Sequence, residues 1–313
     1  MKKIVRPIVL VTMLLGLVSQ QVYAIDTTAI NEKWGKPTVV YGGGLNDQQI
    51  KETSKLLGIK DENTVTTTKA TGEDLVKYLG AGEANTSVMI SSVMVQKRNK
   101  GEGVKVHIAT PKNITLVTSE QYANAAITAG VADAEIEVAA VSKVTGESAL
   151  TGVYKAFEAN GVVLDGKRTA VAQQELELTN QIAQEQSKEK GFDAAKLDQA
   201  MIDIKKSLAE IKEKQGQVAT KEDVERIVNE ALKKYGLDKV ISPTQVNNII
   251  QFALSYQQTS AIDSKQVLEQ LNSLSNTVKG KIGQLVDQAN REGWLDKIVA
   301  FFKEIFNAIF SSK

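Results

Sequence analysis

A single histidine, His107, and no cysteine narrow the chemistry open to this chain. Tetrahedral zinc sites built from His and Cys ligands are excluded. Serine catalysis would have to use His107 as its base, and no Gly-x-Ser-x-Gly elbow accompanies it. In Val104-Lys105-Val106-His107-Ile108 the histidine alternates outward with Lys105, so it reads as a surface residue. Ser187 and Lys190 have Ser-x-x-Lys spacing but lie in a very polar stretch, where chance accounts for it. No EF-hand spacing supports calcium, and no metal or other cofactor is implied.

Carboxylates remain. A glycosidase needs two acids, and 37 Asp and Glu residues supply many pairs. A cell-wall hydrolase using paired carboxylates is therefore an open alternative. Sugar clefts favour aromatic platforms, however, and aromatic residues make up 5% of the chain, with Trp34 and Trp294 the tryptophans.

Two glycine-containing turns could meet an anion. Gly42-Gly43-Gly44 stands between a strand and a helix, as a phosphate loop would. It lacks the Lys-Ser/Thr of a P-loop and the third glycine of a dinucleotide fingerprint, and Asp47 would repel phosphate. A tight turn is the better account. Thr145-Gly146-Glu147-Ser148 also precedes a helix and offers free backbone N–H groups, which makes it the candidate ligand turn. There Glu147 opposes an anion and favours a self-capped terminus.

The sharpest local pattern is at the C-terminal end. From Trp294 to Phe310 the apolar residues are Trp294, Leu295, Ile298, Val299, Phe301, Phe302, Ile305, Phe306, Ile309 and Phe310. At about 100° per residue they fill half a helical wheel, opposite Asp296, Lys297, Lys303, Glu304 and Asn307. Burying such a face contributes on the order of 10 kcal/mol gross, before ordering costs. The protein's own core, a partner protein or a lipid surface could cover it. Near-balanced charge on the polar side weakens attraction to anionic lipid.

The elements that must position these residues fall into two textures. Thr38–Tyr41 and Val65–Thr68 read as strands, and Ser87–Gln96 and Gly103–Val117 as longer β runs joined by a connector of hairpin character. Ala134–Val141 is a further strand. Asn46 with Gln49, Thr71 with Asp74 and Thr118 with Gln121 mark helix starts. A helix over Ser148–Ala159 is stopped by Asn160-Gly161. From about Thr169 the strand signal fades. Leu197, Met201, Ile204, Leu208 and Ile211 form a seam of about two heptads, which suits a packed bundle helix. Thr220 with Asp223 and Ser242-Pro243 with Gln245 open two more helices, and Asp263–Lys279 gives another.

The N-terminal residues supply an address. Lys2, Lys3 and Arg6 precede an apolar run, Pro7 to Val18, and Val22-Tyr23-Ala24 follows. This predicts a secretory signal cut between Ala24 and Ile25. The run is too short for a membrane span of about 20 residues. Loss of the three cations takes the formal net charge from +1 to −2, which argues against nucleic acid as a partner. The expected location is secreted: extracellular, or held at the envelope without a covalent anchor.

Several segments together are similar to the YpuA-like secreted proteins of Gram-positive bacteria. They are Tyr41-Gly42-Gly43-Gly44-Leu45, Ser91-Ser92-Val93, Asn113-Ile114-Thr115, Ala126–Gly130 and, most specifically, Thr145–Gly152 continuing to Lys155-Ala156-Phe157-Glu158. The resemblance covers about Pro37 to Gly161 well and the helical region more loosely. It implies a shared fold and an extracytoplasmic place. The family is a domain of unknown function, so it supplies no catalytic residues.

The expected architecture is α+β or α/β: an N-terminal mixed sheet with helices, then an all-helical region. Its parts are a signal peptide (1–24), an α/β domain (25–161), a helical region (162–291) and an amphipathic C-terminal helix (292–313). The first functional reading is a non-enzymatic binding or structural module of the cell envelope, with a membrane surface, the wall or a protein as partner. The alternatives are membrane interaction through the C-terminal helix and wall hydrolysis by paired carboxylates.

Overall fold

The computed structural model describes residues 34–80 and 83–291, and shows a five-stranded mixed sheet with helices on both faces. The strands are β1 (Thr38–Gly42), β2 (Thr66–Ala70), β3 (Ser92–Lys97), β4 (Val104–Ile108) and β5 (Ala134–Ala139). Their spatial order is β2-β1-β3-β5-β4. β1 runs parallel to β2, and β4 parallel to β5, while β3 lies antiparallel between the two pairs. The α+β expectation holds.

The expected hairpin does not form. β3 and β4 are consecutive in the chain, yet β5 lies between them and bonds to both. Helix α3 (Ser119–Ala129) carries the chain from β4 back to β5, as a parallel pair requires. An interior place suits β5, whose Ile136 and Val138 are fully buried. The two long β runs are also shorter than their composition suggested. Residues 85–91 wrap over the glycine turn instead of extending β3, and after Ile108 the chain makes a single bridge, Ile114 to Val144.

Residue alternation splits the sheet between two cores. On one face Val39, Tyr41, Met94 and Ala139 meet Leu57 and Ile59, which follow helix α1 (Asp47–Leu56). Tyr41 and Ser54 share a 2.7 Å hydrogen bond beneath that helix. The other face presents Val40, Val93, Val95, Ile136 and Val138 to α3 and to α4 (Ser148–Ala159). Helix α2 (Gly72–Leu79) packs on α4 at the same face.

Beyond these helices lie α5 (Gly166–Gln186), α6 (Ala194–Gln215), α7 (Lys221–Lys234), α8 (Pro243–Tyr256) and α9 (Lys265–Arg291). The core is continuous from Val93 in the sheet through Leu150, Leu176, Met201 and Phe252 to Leu271 in α9, with no break near residue 161. Helix α3 is the hub, because Ala123, Ala125, Ala126 and Ala129 let neighbours approach closely. Nine of its eleven residues are buried.

A fully buried ion pair ties three helices together. Lys205 of α6 donates to Glu175 Oε2 of α5 at 3.0 Å and to the Thr128 hydroxyl of α3 at 2.9 Å. Arg168 donates to the carbonyls of Ile127 and Thr128, satisfying the free C-terminal end of α3.

Candidate functional site

Strands β4 and β5 place a polar strip on the sheet face that α1 covers at its other half. Register sets Lys105 beside Glu135 and His107 beside Glu137, with Gln96 and Met94 of β3 on the far side of each glutamate. The row His107–Glu137–Met94–Val39 thus runs from polar to apolar, and α1 takes the apolar end. Arg98, just past β3, forms an ion pair with Glu135.

Glu137 is the unusual member. Its side chain is 4% exposed, against 38% for His107, whose Nδ1 lies 3.1 Å from a Glu137 carboxyl oxygen. Burial first, and then the neighbouring Glu135 carboxylate, push its carboxyl up to about 7. The two glutamates therefore differ. Glu135 is ion-paired with Arg98, whereas the buried Glu137 carboxyl is raised to about 7. Two acids with environments that push them apart can serve as acid and base, and the more exposed His107 is placed to pass a proton outward. Among the described residues, no group of three or more His, Asp or Glu side chains could hold a metal ion.

The sequence reading placed His107 on the surface but did not single out Glu135 and Glu137. Alternation in Ala134-Glu135-Ile136-Glu137-Val138-Ala139 contained a signal, since it puts both glutamates on one face. Their pairing with β4 needed the tertiary fold.

Elsewhere, the glycine turn is a packing device. A Cβ on Gly43 or Gly44 would stand 2.6 Å from the carbonyl oxygens of Ala70 or Ser87, and one on Gly42 would strike Met89. The candidate ligand turn is drawn inward. Gly146 has φ of +96°, and its carbonyl accepts the buried Tyr122 hydroxyl at 2.6 Å. Glu147 accepts from Asn180 of α5 and, at 3.4 Å, from Thr145. Ser148 begins α4, which has no side-chain cap. The predicted cleavage point at Ala24 and Ile25 lies outside the described residues. So does the predicted apolar face of Trp294, Leu295, Ile298, Phe301, Phe302, Ile305, Phe306, Ile309 and Phe310. No helix among the described residues is long and apolar enough to cross a membrane.

Comparison with known proteins agrees with the resemblance read from the sequence. The chain is 30% identical over 283 residues to the uncharacterized protein YpuA of Bacillus subtilis (strain 168), covering 88% of this chain and 89% of that one. No solved structure matches it. The model of a family described as "Protein of unknown function (DUF1002)" matches residues 41–274, from the end of β1 into α9. The polar strip, the glycine turn and most of the helical bundle all fall within that span, and the chain belongs to the DUF1002 family.

Proposed function

We propose that this protein is a secreted cell-envelope binding module that meets its partner through the polar strip on β4 and β5. The carrying observation is the arrangement of Lys105, His107, Arg98, Glu135 and Glu137 as adjoining pairs on one sheet face. Alternating charge at that spacing complements a partner that itself carries amino, carboxylate and hydroxyl groups, as wall peptide and glycan do. The signal-like N-terminal residues support delivery to that location.

A second reading is wall hydrolysis, favoured by the contrast between Glu135 and Glu137. One experiment separates the two. The full chain is incubated with purified peptidoglycan, and both cosedimentation and release of soluble fragments are measured. Binding that leaves the wall intact and weakens several-fold in Lys105→Glu supports the module. Fragment release that disappears in both Glu135→Gln and Glu137→Gln replaces it with the hydrolase. If the protein neither pellets nor releases fragments, the wall is not its partner.

A further inference from the structure

Strand β4 ends the sheet on one side, and helix α9 faces it across a groove. Ladder bonds from the Ala134 N–H to the Gly103 carbonyl and from the Ala109 N–H to the Val138 carbonyl fix which peptide groups of β4 face β5. Those of Gly103, Lys105, His107 and Ala109 point inward. Those of Val104, Val106 and Ile108 therefore point outward, where no strand among the described residues meets them. Such an unpaired row is a template for a further strand.

A cavity of about 150 Å³ borders this edge, with Val104, Val106 and Ala123 on one side and Gln270, Leu274 and Thr277 of α9 on the other. It shares Gln270 and Ser273 with a cavity of about 470 Å³ at Lys100 and Gly103. It shares Ser119 and Glu120 with another of about 470 Å³ at Lys281. The three follow α9 from Lys265 to Gln284 as one groove. At about 1.5 Å per helical residue this is about 30 Å, the length of about nine residues of extended chain. At the rim, Lys105 is exposed and forms no ion pair among the described residues, because the Glu135 beside it is engaged by Arg98.

We propose that this groove binds an extended segment of a partner protein, which adds as a sixth strand beside β4 and sets an acidic side chain against Lys105. Its peptide groups meet those of Val104, Val106 and Ile108. Alternate side chains enter the groove over Ala123 and Leu274, and the others lie on the face of Lys105 and His107. A second copy of this chain fits less well. Antiparallel pairing of β4 with its own copy would bring a second α3 and α9 to the same side of the sheet, where α9 already closes the groove. The proposal shares Lys105 with the polar strip but needs no wall ligand, so peptide binding and wall binding can fail separately.

The test is fluorescence anisotropy at neutral pH of a labelled, end-blocked peptide of about nine residues, alternating valine and glutamate, titrated with the full chain. Saturable binding is expected, at least tenfold tighter than that of the matching valine–lysine peptide. Val106→Pro removes an outward N–H while leaving the bonds to β5, and should weaken binding at least tenfold. Ser273→Trp, which fills the groove from α9, should do the same. Lys105→Glu should reverse the preference between the two peptides. No binding at about 1 mM peptide, equal binding of both peptides, or binding untouched by Ser273→Trp overturns the proposal. So does a concentration-dependent dimer of the free chain that Val106→Pro abolishes, which would make a second copy the occupant. If Val106→Pro does not fold, Ser273→Trp and Lys105→Glu, both at exposed positions, decide the matter.

Discussion

Replacing Glu137 by glutamine should stabilise the protein at neutral and alkaline pH and change little in acid. Its carboxyl is raised from 4.5 to about 7 in the fold, first by burial and then by Glu135. A raised acid is favoured in its protonated form, so between these values the native chain keeps a proton that the unfolded chain releases. Stability from this group is therefore complete below about pH 4.5 and is lost as the pH rises through 7. The interval corresponds to about 3 kcal/mol at full effect. Solvent screening does little to reduce it, because the side chain is 4% exposed. Glutamine has nearly the same shape and no proton to lose. Urea unfolding from pH 4.5 to 8.5 should show variant and parent converging at the acid end, with the variant ahead by up to ~3 kcal/mol at the other. Parallel stability curves, or a carboxyl NMR titration placing Glu137 in the ordinary acid range, would refute the argument.

The buried pair of α5 and α6 makes a second prediction. Lys205→Met alone leaves Glu175 charged and unpaired in the core, and should cost about 3–5 kcal/mol by denaturant unfolding. Lys205→Met with Glu175→Gln should recover most of that loss, and equal destabilisation of the two variants would contradict the pairing account. The C-terminal apolar pattern is tested by liposome flotation of the full chain beside a version ending at Gly293. Flotation of the full chain alone would make Trp294–Phe310 a lipid anchor, whereas failure of both to float, with a lower melting temperature on truncation, would make it part of the protein's own core.

Local signals were legible in the sequence because their partners lie within a few residues. Asn46 with Gln49, Thr118 with Gln121 and Ser242 with Gln245 form the reciprocal capping hydrogen bonds that their spacing implied. Gly130 takes the left-handed conformation that ends α3, and Ser148–Ala159 is a helix over the expected residues. The outward alternation of Lys105 with His107 was equally local. Helix α5 was less visible, since Gln173, Glu175, Thr179 and Asn180 are buried along with Leu176 and Ile182, and no clean polar face marks it.

What the sequence determined by itself was the class of the fold, most of its helix starts and stops, and an inventory of ionisable groups too sparse in His and Cys for zinc chemistry. Periodicity and capping are properties of a single element, so a linear reading recovers them. Only the tertiary structure decided which groups face one another. Inserting β5 between β3 and β4 set Glu137 against His107, thirty residues away. Packing of α6 on α3 buried Asp198 against Thr118 and left one oxygen unpaired, and the same packing joined Lys205 to Glu175. The physical reason is that charge in a core or on a half-covered sheet is governed by desolvation and by neighbours distant along the chain. Neither quantity exists until the chain has folded.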